Sequence, residues 1–291
     1  MTISNFFKPH EKDLGGGFTV RRLLPAAAKQ AVGPFIFFDH FGPIDAPADA
    51  NHDVRPHPHI GLATVTYLYE GAMLHRDSLG SVQRIEPGAI NWMTAGSGIV
   101  HSERTPPDLH GKPRRSHGLQ LWAALPHEHE DGPPGFAHTP ADAIPVATFE
   151  GGEARVLIGS AFGLTSPVAT FSETLYLDIK LGAGQEMILA DLPEEAAIYA
   201  VSGELAIDDE AIAANTMAYL EPGTNARVST TTGVQFVVIG GAPLDAHRFM
   251  FWNFVSSSKE RLARAADDWE QQRYAKVPGE TEWIPLPKPL R

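Results

Sequence analysis

The chain has 291 residues, of which 43% are hydrophobic and 20% charged, enough apolar material for a sizeable core and too much for gross disorder. A formal net charge of −12 gives no general attraction to phosphate backbones or anionic lipid, which argues against direct nucleic-acid binding. There is no cysteine, which removes disulfides, thiolate nucleophiles and Cys-based metal sites, and no apolar run reaches the length of a signal peptide or membrane span, so a cytoplasmic location is expected.

Short runs with β character fall at Phe35–Phe38, Thr64–Tyr69, Val82–Ile85, Leu119–Ala123, Arg155–Ile158, Thr174–Leu181, Ile198–Val201 and Val234–Ile239. The 27 glycines and 24 prolines punctuate them at short intervals, the pattern of an all-β sandwich or barrel. One helix is expected, near 258–274. Ser257 and Glu260 form a capping box there, and Leu262, Ala265, Ala266 and Trp269 repeat at helical spacing. The Pro-rich tail from Lys276 reads as extended.

A faint internal repeat suggests duplication. Tyr69-Glu70-Gly71 followed by Glu86-Pro87-Gly88 recurs as Ser202-Gly203-Glu204 followed by Glu221-Pro222-Gly223. The polar, Pro-rich stretch from Pro126 to Pro145 reads as the linker, dividing the chain into domains at 1–130 and 131–291, the helix belonging to the second.

The chemistry concentrates in two segments. In Arg55-Pro56-His57-Pro58-His59, Pro58 biases His57 toward extended backbone, and residues two apart on a strand share a face. His101 and Glu103 repeat the i, i+2 spacing after the Gly96-Ser97-Gly98 turn. Two such pairs meeting across a small barrel would give three imidazoles and one carboxylate. That donor set suits one divalent transition metal (Fe, Mn, Ni, Cu, Co or Zn) and leaves open positions on it. By the same parity the Ser102 hydroxyl points away from the metal.

Other polar groups rank lower. His127-Glu128-His129-Glu130-Asp131 reads as a solvated linker loop, and His40 as a hydrogen-bonded turn residue. His75 and Asp77 are either a pair supporting the metal ligands or a plain hairpin end. Gly15-Gly16-Gly17 lacks the strand–helix context of a phosphate loop.

The segments Phe37-Phe38-Asp39-His40-Phe41-Gly42-Pro43, Pro56 to Gly71, His75 to Gly80 and Asn91 to Glu103 together resemble the pirin family of the cupin superfamily. The resemblance implies a bicupin: two tandem β-barrel domains with a short C-terminal helix and one metal, usually iron, in the N-terminal barrel. Its ligands fall by motif on His57, His59, His101 and Glu103. Many relatives carry a Glu three or four residues after the His-x-His, where this chain has Ala63 and Thr64. Carried forward by the repeat, the four ligand positions land on Leu189, Asp191, Phe236 and Val238, so the second barrel is expected to be metal-free.

The resemblance further implies an Fe2+-dependent dioxygenase of the quercetin 2,3-dioxygenase type. It would act on a flavonoid or enol-type substrate with O2, with Glu103 as its catalytic base. The alternative it implies is a non-enzymatic iron-binding regulator that works through a protein partner.

Overall fold

Strands dominate the chain because its apolar residues alternate or run in short blocks between glycine and proline stops. The structure, a computed structural model, describes residues 2–14 and 18–287; the Gly15-Gly16-Gly17 triplet lies outside them. In chain order the first strands are β1 (Ile3–Phe7), β2 (His10–Asp13), β3 (Thr19–Leu24), β4 (Phe35–Ala46), β5 (Val54–His59), β6 (Leu62–Glu70), β7 (Met73–Asp77), β8 (Val82–Ile85), β9 (Ile90–Thr94), β10 (Ile99–Arg104), β11 (Arg114–Ala124) and β12 (Gly135–Thr139). The second half adds β13 (Val146–Phe149), β14 (Gly152–Ile158), a small hairpin of β15 (Ser160–Ala161) and β16 (Leu164–Thr165), β17 (Thr174–Leu181), β18 (Glu186–Leu189), β19 (Glu195–Gly203), β20 (Leu205–Ile207), β21 (Glu210–Ile212), β22 (Met217–Leu220), β23 (Ala226–Ser229) and β24 (Val234–Gly241). A hairpin of β25 (Phe249–Phe251) and β26 (Phe254–Ser256) leads into the helix α1 (Lys259–Glu270).

The duplication is explicit in the sheets. One seven-stranded sheet runs β12-β9-β6-β11-β4-β3-β2 and is accompanied by a four-stranded sheet β5-β10-β7-β8. The other pair runs β1-β22-β19-β24-β17-β14-β13 and β18-β23-β20-β21. Position by position the two lists describe the same antiparallel barrel. The second barrel has an apolar core cluster in which Leu177, Ile198, Phe236 and Val238 from the larger sheet meet Leu189, Leu205 and Val228 from the smaller.

Matching the ladders also corrects the projected ligand positions. In the first barrel His59 lies opposite Ile99 and His57 opposite His101; in the second Leu189 lies opposite Ala226 and Met187 opposite Val228. The counterparts of the three histidines are therefore Met187, Leu189 and Val228. Phe236 and Val238 lie on β24, the counterpart of β11, and Asp191 is exposed beyond the end of β18. Loop lengths differ between the halves while the ladder does not, so a constant sequence offset drifts off register.

The division of the chain also differs from a cut at 130/131. One unit comprises the N-terminal segment up to Lys12, Arg21–Asp39 and Thr139–Leu244; the other comprises Asp13–Val20, His40–His138 and everything from Asp245. Edge strands explain the exchange. β1 pairs with β22 of the second barrel, Ile3 opposite Leu220 and Phe7 opposite Met217. β12, within the expected linker, instead edges the first barrel's sheet. The helix also belongs to the first barrel. Leu262, Ala265 and Trp269 bury their shared face with Ile60, Val100 and Phe254.

Local chemistry refines three further expectations. Ser258, not Ser257, caps α1, its hydroxyl accepting from the Arg261 N–H. Ser257 instead donates to Glu130, which also accepts from the Ser257 N–H and the Ser256 hydroxyl. Glu130 is thus a buried structural carboxylate, not part of a solvated loop. His40 lies within β4, not in a turn, with its Nε2 2.8 Å from Nε2 of His117.

Two glycine turns bracket the strands that carry the His-x-His and His-x-Glu pairs. Gly61 (φ +68°) ends β5, Gly96 (φ +51°) precedes β10, and the Gly61 N–H donates to the Gly96 carbonyl at 2.9 Å. A Cβ on Gly61 would collide with the Val255 carbonyl oxygen. Left-handed backbone costs an L-residue about 1–2 kcal/mol before any collision. Gly61→Ala is therefore expected to destabilise the fold by about 2 kcal/mol or more, read from urea denaturation midpoints; an unchanged midpoint would show that this turn does not constrain the barrel.

Candidate metal centre

Strands β5 and β10 lie antiparallel, so residues of equal parity on both point into the barrel. His57, His59 and His101 converge there. One ring nitrogen of each lies within 4.8 Å of the others, and all three rings are buried. Ring centroids stand 5.0 Å apart for His57–His59, 4.3 Å for His57–His101 and 5.1 Å for His59–His101.

Each ring turns one nitrogen to the protein. Nδ1 of His57 lies 2.8 Å from the Arg55 carbonyl and donates to it, which leaves Nε2 with its lone pair. The His59 ring is held by the backbone of Asn253, and its Nδ1 is buried without a hydrogen-bond partner. Nδ1 of His101 lies 3.4 Å from Nδ1 of His75, and its Nε2 is buried and unpartnered. Unmet buried ring nitrogens are costly in an empty core and useful around a cation.

His75 extends this chain outward, its Nε2 lying 3.0 Å from Oδ2 of Asp77. Burial alone would raise the Asp77 carboxyl, but hydrogen bonds from His75 and Ser81 outweigh it and hold the group below its ordinary value. An ionised Asp77 accepts from His75 Nε2–H, so His75 Nδ1 accepts from His101 Nδ1–H. The lone pair on His101 is thereby fixed on Nε2, facing the other two rings. Of the two readings of His75 and Asp77, the supporting pair is the one the structure has.

Burial pushes all three imidazoles down: His57 to about 4, His59 and His101 well below the ordinary value of 6.5, with neighbouring histidines adding to the effect. They are neutral at physiological pH, the state in which imidazole binds metal. Orphaned nitrogens, neutral rings and mutual distances all fit one divalent transition metal.

Glu103 stands apart from this compact group. The β5–β10 ladder slips after His101, so that Glu103 lies opposite Val54 on one side and His75 on the other. It keeps partial solvent access yet is deep enough for burial to push its carboxyl up to about 7. Ser102 faces outward as parity requires, donating to Glu280 of the C-terminal tail at 2.7 Å. Arg104 pairs with the same carboxylate and with Glu282 at 2.7 Å. The tail from Lys276 is not uniformly extended: it turns at Pro278-Gly279, where the Glu280 N–H donates to the Val277 carbonyl at 3.2 Å, and it then straps the outer side of β10.

Several neighbours escaped the sequence reading. Trp122 sets its ring edge-on to His59 with centroids 5.2 Å apart, and Phe136 stacks on His75 at 4.2 Å. Asn91 meets His138 at 2.7 Å. Phe136 and His138 share the i, i+2 spacing of the ligand pairs, a signal hidden by the polar composition of the supposed linker.

A family model described as Pirin matches residues 17–123, and one described as Pirin C-terminal cupin domain matches residues 176–275. A Pirin-like protein of Caulobacter vibrioides is 43% identical across 98% of this chain and 100% of its own length. Two crystal structures of quercetin 2,3-dioxygenase from Acinetobacter baumannii each match with a TM-score of 0.89. One is 33% identical, covering 99% of this chain and 97% of that one; for the other the figures are 26%, 95% and 99%.

The buried histidines also set an acid limit on the metal-free fold. An unfolded chain protonates His57 near 6.5 and the folded one near 4, so stability is lost as pH falls through that window, by about 3 kcal/mol for this residue. Glu103 works oppositely: its raised value favours the folded state as pH falls from about 7 toward the ordinary 4.5. Three imidazoles outweigh one carboxyl. Urea midpoints of chelator-treated protein should fall between pH 7 and 5, more steeply in Glu103→Gln and less steeply in His57→Gln. A wild-type midpoint that is flat or rises on acidification would contradict burial of neutral rings.

Proposed function

The chain belongs to the pirin family, a tandem of two cupin-type barrels, and on that footing we propose that it is an Fe2+-dependent dioxygenase that cleaves flavonols such as quercetin with O2. The observation that carries this reading is the convergence of three buried, neutral imidazoles inside the first barrel, two of which, His59 and His101, have an unmet ring nitrogen. The 0.89 TM-score match to quercetin 2,3-dioxygenase supports it.

His57, His59, His101 and Glu103 are the residues that would hold the ion. When bound, it supplies Lewis acidity and open positions for an enol oxygen and dioxygen. The chain's own contribution is positional and acid–base. The Asp77–His75 pair orients His101, and Trp122 and Phe136 give the interior flat apolar walls beside the histidines. Glu103, on the same strand as His101, would take the hydroxyl proton of an enol and return it after cleavage.

Two outcomes follow. Elemental analysis should find one ion per chain, lost in His57→Ala and in His101→Ala while β structure by circular dichroism persists. Two ions per chain, or full occupancy in both variants, would refute the site.

Iron-loaded protein should consume quercetin and O2 one to one and release carbon monoxide. Glu103→Gln should lower turnover by about 10²-fold or more, the typical weight of a general base, with a smaller loss of iron. Free iron at matched concentration is the control for autoxidation. If wild type is no faster than that control across several flavonols, the dioxygenase reading is abandoned for that of an iron-binding regulator.

A further inference from the structure

The face-to-face stack of Phe136 on His75 (13° between planes) fixes which side of β12 looks into the first barrel, because His75 itself contacts His101. His138 lies two residues beyond Phe136 on the same strand and so shares that face. A second path leads to the same place. Asn91 on β9 lies opposite Thr66 of β6, and the Thr66 hydroxyl donates to Gln120 of β11 at 2.8 Å. Gln120 shares its strand face with Trp122, which touches His59. Parity on four strands therefore sets Asn91 and His138 on the wall that carries the histidines.

The pair has unmet hydrogen-bonding capacity. Asn91 is 2% exposed, its Oδ1 accepts from His138 Nδ1–H, and its Nδ2 is buried with no partner. With Nδ1 of His138 committed as the donor, Nε2 is left as an acceptor. A free amide donor and a free imidazole acceptor thus stand side by side. Two adjacent ring hydroxyls match that edge: one oxygen accepts from Asn91 Nδ2–H, and the neighbouring O–H donates to His138 Nε2. Phe136 and Trp122 supply flat apolar surface on which a ring can lie.

We infer that Asn91 and His138 form a recognition pair for the catechol edge of a planar phenolic ligand whose opposite edge faces His57, His59 and His101. This rests on the flavonol reading of the site and goes beyond it by assigning which substituents select the substrate.

Binding without turnover tests the inference. Iron-loaded protein under anaerobic conditions is titrated with quercetin, which carries the adjacent hydroxyls on its pendant ring, and with galangin, which lacks them; quenching of tryptophan fluorescence gives Kd. Wild type should bind quercetin roughly 10- to 100-fold more tightly, the weight of one or two hydrogen bonds to a partly buried pair. In His138→Phe and in Asn91→Leu the ratio should fall to within about threefold of unity at unchanged iron content. Equal affinities in wild type overturn the inference without recourse to any variant. So does a wild-type ratio retained in both variants. If wild type binds neither compound, the flavonol reading itself fails and this assignment falls with it.

Discussion

Three imidazole nitrogens held within 4.8 Å of one another, in a buried interior, constrain everything around them. Protonated rings so placed would repel across a low dielectric, so the site exists only with the rings neutral. A neutral imidazole still has one N–H to satisfy, and each is met from a different part of the chain. Arg55 serves His57 from the same strand, Asn253 serves His59 from the β25–β26 hairpin, and the Asp77–His75 pair serves His101 from β7. Each of these contacts also decides which nitrogen faces inward. Orientation and neutrality are therefore one problem with one solution, and the return of the C-terminal segment to the first barrel is part of it.

The outer side of the same strands is fixed by charge. Glu280 accepts from Ser102, pairs with Arg104 and lies 3.8 Å from Arg76, while Ile284 N–H reaches the Pro56 carbonyl at 2.9 Å. Ionic contacts of this sort are worth little singly, and more as a partly buried network. Their value here is positional: they hold the outer face of β10 and the start of β5 while the inner face carries polar groups that contribute no hydrophobic burial. The second barrel has no such requirement. With Met187, Leu189 and Val228 in the equivalent ladder positions, it recovers the burial energy that the first barrel forgoes. Identical strand order tolerates either filling, which is why the fold alone does not assign chemistry.

The strands and the histidine cluster were legible in the sequence because both rest on local rules. Thr174–Leu181 and Val82–Ile85 match the observed strands residue for residue, since alternation and turn residues act within a few positions. Parity found the three histidines for the same reason. What escaped depends on pairing across long sequence distances. Nothing in Ile3–Phe7 signals a partner at Met217–Leu220, and nothing near the helix says that it returns to Ile60 and Val100. Glu130 looked like a solvated acid among histidines until Ser256 and Ser257, over a hundred residues away, were seen to donate to it. Asn91 and His138 were hidden likewise, because only the β12–β9 pairing brings them together.

A further point is what stands on β6 where many pirins carry a Glu after the His-x-His. Ala63 and Thr64 occupy the alternative position, both fully packed within β6, with Thr64 opposite Met93 and Trp122. A carboxylate at either position on β6 would be desolvated, a cost that Ala63 and Thr64 avoid. The raised value of Glu103 comes from burial. Such a group responds steeply to whatever charge is brought beside it. A cation among the three histidines would draw its proton off, whereas removal of the cation would restore it. In the proposed site the protonation of Glu103 would thereby follow the state of the histidine cluster.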